Sequence, residues 1–217
     1  MSQVAGLVSM VQIDILDGKL TPEKSWPNVK NPDPDFVRIM KEEESFPFWE
    51  DLEFEVDLMV TDPELVAGGW ARVGAKRVIF HYESFSPQET AQTAIRGFKE
   101  KFYIPGSALS VDVGLALNID TPNEQIEPLL ESVDFVQFMG IARIGFQGEP
   151  FDERVIEKIS NLRSKFSNVI ISVDGGVSLN SAPKLVSAGA NRLVAGSAIF
   201  ESENVEETIK IFQKIKK

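Results

Sequence analysis

The sequence predicts an α/β fold, a parallel (β/α) barrel in which strands and helices alternate. Apolar runs rich in Val, Ile, Leu and Phe recur along the 217 residues, and helical patterns separate them. Such near-continuous apolar runs are typical of parallel strands that are covered on both faces. Glycine-rich turns follow the late strands, where barrels bind phosphate, and the first strand lacks the G-x-G-x-x-G of a dinucleotide-binding sheet. The barrel is therefore favoured over an open sheet.

Seven strands are predicted from these runs. They are Val11–Asp17, Phe54–Val60, Arg77–Tyr82, Asp112–Asn118, Phe135–Gly140, Val169–Asp174 and Arg192–Ala198. The sequence before Val11 is too short for another strand and its helix, because a crossover needs roughly a dozen residues or more. We therefore expect the first strand–helix unit of an eight-stranded barrel to be missing from this sequence. Either the true start of the chain lies upstream, or another segment or a partner fills the gap. Unpaired edge strands would favour pairing with another chain, so a homo-oligomer is one expectation.

Local signals predict where several helices begin and end. Thr61-Asp62-Pro63-Glu64 offers an N-cap followed by proline at the first helical position. Ser86-Pro87-Gln88-Glu89 and Thr121-Pro122-Asn123-Glu124 both match the capping box. Gly74 and Gly189 follow helical patterns, and glycine there supplies the left-handed residue that ends a helix.

Composition places the chain among ordinary globular proteins and argues against several functions. Hydrophobic residues make up 43% and charged residues 25%, and the length fits a single barrel domain over residues 1–217. A net charge of −11 without a long Lys or Arg run argues against nucleic-acid binding. The absence of cysteine excludes disulfides and a thiol nucleophile. Since neither a signal peptide nor a membrane-spanning run is evident, we expect a cytoplasmic protein without a membrane partner.

A proline-rich segment, residues 21–34, follows the first predicted strand and carries Trp26. Barrel proteins keep their functional loops on this face. The composition is compatible with a linker, and the position and the aromatic residue are equally compatible with a semi-rigid lid or pocket wall. Both interpretations stay open.

Acidic side chains occur inside the predicted strands. Because strand side chains alternate between faces, Gln12 shares a face with Asp14, and Glu55 shares a face with Asp57. A buried carboxylate is unfavourable by several kcal/mol unless it is paired, hydrogen-bonded or metal-bound. Each aspartate alone could cap a turn or meet a Lys or Arg. If Asp14, Asp57 and Asp174 met at one barrel mouth, they would need a divalent cation or a raised pKa, and a raised pKa suits proton transfer near neutral pH.

Glycine-rich turns follow the last three predicted strands or lie within them. Glycine lets the backbone approach a phosphate closely, and nearby N–H groups donate to it. One such turn is weak evidence, but three in successive late strand–helix units indicate phosphate binding. The candidate residues are Gly145, Gly148, Gly175, Gly176, Gly196 and Ser197.

His81 is the only histidine in the sequence. One interpretation is a hydrogen-bonded ring packed at a strand end, and the other is contact with a ligand pocket. A Ser/His/Asp triad is poorly supported, since no G-x-S-x-G is present. Met59 and Met139 are compatible with core packing and with pocket lining.

In combination, these motifs resemble the ribulose-phosphate 3-epimerase family. The resemblance runs in order from about Val11 to the C-terminus, and it is specific as a set although no single motif is. The motifs are Val11–Gly18, Val56–Val60, His81–Glu83, Leu115–Asn118, Thr121–Pro122, Val173–Gly176 and Ala195–Phe200. The resemblance implies a TIM barrel of the ribulose-phosphate-binding type.

The resemblance also implies a mechanism. In that family a divalent metal sits between two histidines and two aspartates, and the aspartates exchange a proton on opposite faces of the sugar carbon beside the ketone. By position, Asp14 and Asp174 match these aspartates. Met59 and Met139 match methionines at the reacting centre, where Leu16 replaces a third. The implied activity is epimerisation between D-ribulose 5-phosphate and D-xylulose 5-phosphate, with the glycine turns binding the phosphate.

The chain departs from the family pattern at the metal site. Gln12 and Asp57 stand where the family has its two metal-binding histidines, and the run Ala142–Gly148 replaces the usual Asn-Pro-Gly-Phe-Gly-Gly loop. Imidazole suits zinc and iron, whereas an all-oxygen set suits magnesium or manganese. Alternatively, Arg143 supplies the missing positive charge. The metal set implied by position is Gln12, Asp14, Asp57 and Asp174.

Three functions therefore stay open. The leading hypothesis is a diverged epimerase that binds a small sugar phosphate and a divalent cation. The alternative is an inactive or altered paralogue that binds a phosphorylated small molecule. A decarboxylase or aldolase-like relative on the same barrel is less favoured, because the D-x-K-x-x-D pattern of one such group is absent after the first strand.

Overall fold

The computed structural model describes residues 1–86, 89–107, 109–146 and 148–215. Within this part of the chain, one sheet contains seven strands in the order of the sequence. They are β1 (Met10–Leu16), β2 (Glu53–Met59), β3 (Arg77–His81), β4 (Asp112–Leu117), β5 (Phe135–Met139), β6 (Ile170–Asp174) and β7 (Arg192–Val194). Pairing between β1 and β2, β2 and β3, β5 and β6, and β6 and β7 is parallel. Sequential strand order is that of a (β/α) barrel, whereas doubly wound sheets reverse order at a switch point. The predicted fold class is confirmed.

The chain divides into two compact units, Met1–Gly114 and Leu115–Lys217, with the boundary inside β4. The first unit carries the helices α1 (Pro34–Met40), α2 (Pro63–Arg72) and α3 (Thr90–Phe102). Helix α2 begins at the predicted proline, and Gly74 after it has the left-handed φ of 101°. Pro87 and Gln88 of the capping box predicted before α3 lie outside the described residues.

The second unit carries α4 (Arg154–Lys165), α5 (Ala182–Ala188), α6 (Ser197–Phe200) and α7 (Val205–Lys214). The last strand ends at Val194, so the predicted strand Arg192–Ala198 is too long. Gly196 leaves the extended conformation, with φ −100° and ψ −87°, and Ser197 begins α6. The third glycine motif therefore lies in the turn between a strand and a helix rather than inside the strand.

The capping box at Thr121–Glu124 does not begin an α-helix. Two short 3₁₀ turns, Asn123–Gln125 and Glu127–Ser132, follow it instead. The Asn123 side-chain amide donates to the Lys158 carbonyl at 2.8 Å, and the Lys158 ammonium group donates to the Thr121 carbonyl. These contacts come from a residue of α4, so the tertiary structure overrides the local capping signal.

The proline-rich segment packs as a wall beside β1. The Ser25 hydroxyl donates to the Asp14 carbonyl at 2.8 Å and accepts from the Leu16 N–H at 3.0 Å. The Trp26 ring lies 5.5 Å from the Phe36 ring and 6.1 Å from the Trp70 ring, measured between centroids. These contacts favour the wall over the linker.

No helix in the described ranges combines the length and the apolar character needed to cross a bilayer.

Candidate functional site

The carboxylates of the first unit come together on β1 and β2. Asp14 and Asp57 are paired positions of the two parallel strands, and a carboxylate oxygen of one lies within 4.8 Å of the other. The Gln12 amide nitrogen donates to Asp14 Oδ1 at 2.9 Å. Glu55, the residue opposite Gln12, is buried and forms an ion pair of 3.0 Å with Arg77. Gln12, Asp14 and Asp57 therefore lie together within this unit.

The environment of Asp14 makes its carboxyl group more basic than usual. The residue keeps an exposed edge, but protein atoms around the carboxyl group remove part of its hydration. This desolvation and the negative charge of Asp57 raise the pKa to about 6, against the opposing effect of the Gln12 hydrogen bond. Such a group is ionised at neutral pH and is still basic enough to accept a proton.

His81 ends β3 and is completely buried between two carboxylates. Its Nε2 lies 2.9 Å from Asp57 Oδ1, and its Nδ1 lies 3.8 Å from Glu83 Oε2. Burial by itself would lower the pKa of His81, but the charges of Asp57 and Glu83 outweigh it and raise the pKa to about 10. His81 is therefore an ion-paired residue at a strand end, and its partner Asp57 belongs to the carboxylate cluster.

Asp17 organises the loops that follow β1 and β2, a role that the sequence motifs did not indicate. Its carboxylate accepts from the backbone N–H groups of Lys19, Leu20 and Thr61 at 2.8 to 3.1 Å. The Thr61 hydroxyl also donates to it at 2.9 Å. Desolvation opposes the effect, but these hydrogen bonds lower the pKa of Asp17. The pairing of Asp17 with Thr61 could not be found from spacing, because 44 residues separate the two.

In the second unit, Asp174 lies at the end of β6 beside tightly packed glycines. The Gly140 N–H donates to the Asp174 carbonyl at 2.7 Å, and a Cβ on Gly140 would lie 2.3 Å from the Gly175 oxygen. Gly175 and Gly176 have φ values of 88° and 66°, and a Cβ on Gly176 would lie 2.8 Å from the Phe151 backbone. These positions require glycine for close packing, whatever ligand they bind.

Two of the other predicted phosphate residues, Gly148 and Gly196, have open surroundings. Gly145 and Gly148 both have left-handed φ values, 84° and 73°, and Gln147 between them lies outside the described residues. A Cβ on Gly196 would meet nothing within 4 Å. Gly196 therefore lies in an open part of the turn that leads into α6.

Arg143 is engaged by its own loop. Its guanidinium group pairs with Glu149 at 2.5 Å and lies 5.1 Å from the Phe146 ring centroid. This pairing disfavours the alternative in which Arg143 replaces a metal as the source of positive charge. Met59 and Met139 are both buried, as are the apolar side chains beside them, so each packs into the core of its unit.

The donor set of the first unit fits a hard divalent cation. Asp14 and Asp57 offer carboxylate oxygens, and Gln12 adds an amide group beside them. Oxygen ligands suit magnesium, manganese or calcium, whereas zinc and iron sites more often use imidazole. The only histidine of the chain is turned to Asp57 through Nε2 rather than offered as a ligand.

Comparison with solved structures supports the fold. The structure is similar to 3-hexulose-6-phosphate synthase, with a TM-score of 0.65, 19% sequence identity and coverage of 100% of this chain and 91% of that one. It is also similar to a 3-keto-L-gulonate-6-phosphate decarboxylase from Vibrio cholerae, with a TM-score of 0.63, 10% identity and coverage of 98% and 87%. At such identities the similarity concerns the fold alone.

Comparison of sequences identifies the family. Ribulose-5-phosphate-3-epimerase, chloroplastic, of Arabidopsis thaliana is 34% identical over 92% of this chain, and ribulose-phosphate 3-epimerase of Schizosaccharomyces pombe is 32% identical over 92%. The matched region spans 65% of the first relative and 78% of the second. The model of the ribulose-phosphate 3-epimerase family matches residues 6–200. The chain therefore belongs to the ribulose-phosphate 3-epimerase family.

Proposed function

We propose that this protein epimerises a ketose phosphate, interconverting D-ribulose 5-phosphate and D-xylulose 5-phosphate, with Asp14 and Asp174 as the two acid–base residues. One aspartate removes the proton from the carbon beside the ketone, and the other delivers a proton to the opposite face. The observation that carries the proposal is the position of the Asp14 carboxyl group on β1, opposite Asp57 on β2 and within 4.8 Å of it, where burial and the charge of Asp57 raise the metal-free pKa to about 6. Family membership supports the assignment.

The proposed cation site uses Gln12, Asp14, Asp57 and Asp174. A divalent cation bound there would stabilise the negative charge that develops on the substrate oxygens. Support comes from the oxygen donors that gather on β1 and β2 and from the position of Asp174 at the end of β6. The metal that fits this set is magnesium or manganese.

The proposed phosphate site uses backbone N–H groups of the late turns. Gly145, Gly148, Gly175 and Gly176 adopt left-handed conformations, which are typical of turns whose backbone N–H groups bind anions. Gly196 and Ser197 add an open turn. A cytoplasmic location, a single domain over residues 1–217 and a homo-oligomer stay predictions.

The test is solvent exchange. Wild-type protein incubated with D-ribulose 5-phosphate and Mg²⁺ or Mn²⁺ in deuterated water should incorporate deuterium at carbon 3 and form D-xylulose 5-phosphate. Asp174→Asn should reduce this rate by roughly 10²- to 10⁴-fold, because the carboxamide cannot exchange the proton. Asp120→Asn, which alters an exposed ion pair with Arg154, is the matched control and should keep the wild-type rate. Full exchange by Asp174→Asn would exclude the two-aspartate mechanism.

The second candidate is a protein that binds the sugar phosphate without turning it over. The replacement of both metal-binding histidines by Gln12 and Asp57 favours it. In that case wild-type protein would bind D-ribulose 5-phosphate in calorimetry but would incorporate no deuterium with either metal.

A further inference from the structure

His81 stands out because it is the chain's only histidine and its side chain has no exposed surface. The proposed reaction gives it no role. Its ring joins two carboxylates from different positions: Nε2 faces Asp57 at 2.9 Å, and Nδ1 faces Glu83 at 3.8 Å. Asp57 is also completely buried. A row of Glu83, His81 and Asp57 therefore leads from the end of β3 to the carboxylate pair of Asp57 and Asp14.

We infer that His81 is a positioning residue for Asp57 and, through it, for the proposed cation site. The contact with Oδ1 fixes the rotation of the Asp57 carboxylate, because a carboxylate held at one oxygen presents the other in a defined direction. Glu83 faces the other ring nitrogen, with Oε2 3.8 Å from Nδ1. Partners of this kind behind a ligating group orient it and commonly contribute roughly 10- to 100-fold to metal affinity. The inference rests on the proposed function at one point only, which is that Asp57 is a ligand of the proposed cation.

The charges favour this role over simple packing. Asp14 and Asp57 place two carboxylates within 4.8 Å of each other, and like charges at that distance repel in a buried environment. The His81 ring, whose Nε2 lies 2.9 Å from Asp57 Oδ1, compensates part of that repulsion before any cation binds. A histidine that only filled space would not need a carboxylate on each ring nitrogen.

The test uses two substitutions that differ in one property. His81→Gln keeps an N–H donor near Asp57, whereas His81→Leu fills similar volume and donates nothing. Mn²⁺ is titrated into the metal-free full chain, and free Mn²⁺ is followed by electron paramagnetic resonance. We expect His81→Leu to weaken Mn²⁺ binding by roughly 10- to 100-fold and His81→Gln to restore most of the loss.

Asn123→Ala is the matched control for lost stability, because it removes a buried hydrogen bond to Lys158 in the second unit. Its Mn²⁺ affinity should equal that of the wild type even if its unfolding midpoint falls. Equal affinities of wild type and a folded His81→Leu would overturn the inference, and so would the absence of Mn²⁺ binding by the wild type.

A spectroscopic readout separates positioning from stability. The single histidine gives one imidazole Cε1–H signal in a carbon–proton correlation spectrum of the untagged chain. Adding diamagnetic Mg²⁺ should shift this signal in the wild type, with saturation at the same concentration as binding, and should leave it unchanged in Asp57→Asn. An unshifted signal in wild-type protein that binds Mg²⁺ would also overturn the inference. Metal binding that depends on His81 without deuterium exchange would retain the inference and exclude the epimerase.

Discussion

At the scale of single residues, the structure shows how an acidic group survives in an apolar strand. Asp57 has no exposed surface, yet His81 lies 2.9 Å away and supplies the opposite charge. Removing one partner of a buried pair is typically unfavourable by about 3–5 kcal/mol, because it leaves an uncompensated charge. The two residues therefore depend on each other, and neither could be understood from its own strand.

Asp17 illustrates a second solution, in which backbone N–H groups stabilise the charge. We expect Asp17→Ala to lower the free energy of unfolding by about 1–3 kcal/mol at pH 7, because several N–H donors lose a charged acceptor. The pKa of Asp17 in the folded protein lies below its usual value of 3.8. The stabilisation is therefore complete above pH 3.8 and is lost as the pH falls through the lower, folded-state pKa.

Urea unfolding of wild type and Asp17→Ala at several pH values checks this prediction. The difference in the free energy of unfolding between the two proteins should be constant near neutral pH and should shrink below pH 3.8. A difference that grows on acidification would contradict the assigned direction of the pKa shift.

At the scale of elements, close packing decides which glycines are replaceable. Gly140 follows β5, and the Gly175 oxygen occupies the place that a Cβ would need. Gly97 lies inside α3 with nothing within 4 Å of its Cβ position. The sequence around them does not distinguish these glycines. A Cβ would overlap backbone at Gly140 and would meet nothing at Gly97.

We expect Gly140→Ala to destabilise the fold by about 1–3 kcal/mol, because backbone must move to remove the overlap. Gly97→Ala should stabilise it by about 0.5–1 kcal/mol, since alanine favours the helix and meets no neighbour. Urea unfolding midpoints measure both changes, and Gly97→Ala is the control for substituting alanine for glycine. Equal midpoints for the two variants would show that the contact at Gly140 is not restrictive.

At the scale of the whole molecule, binding of a phosphorylated ligand should raise stability in proportion to occupancy. D-Ribulose 5-phosphate at 100 times its dissociation constant should add about 2.7 kcal/mol to the free energy of unfolding. We expect Asp174→Asn to show nearly the same increase, since its backbone amides are unchanged. Gly196→Ala should show a smaller increase at unchanged ligand-free stability, because the added methyl group enters an open turn proposed to receive the phosphate.

Thermal unfolding with and without the sugar phosphate measures this effect, and sodium chloride at equal ionic strength controls for general salt effects. A wild-type midpoint that D-ribulose 5-phosphate does not move would argue against the proposed ligand. An undiminished increase in Gly196→Ala would place the phosphate elsewhere.

The sequence by itself determined the fold class, because the apolar strand segments, the glycine-rich turns and the order of the motifs can all be identified from local sequence. It also located Asp14, Asp57 and Asp174 on their strands, since burial of a strand is visible in its apolar neighbours. The predicted last strand was too long and the helix at Thr121–Glu124 was wrong, because local signals compete with contacts from distant residues.

Only the tertiary structure decided which partner each charged group has. The pairing of His81 with Asp57 joins two strands, and the Asp17 contact with Thr61 joins two loops. The pKa values of Asp14 and His81 follow from such neighbours and from lost hydration rather than from residue type. Charge interactions depend on distance through space, which a linear pattern does not record.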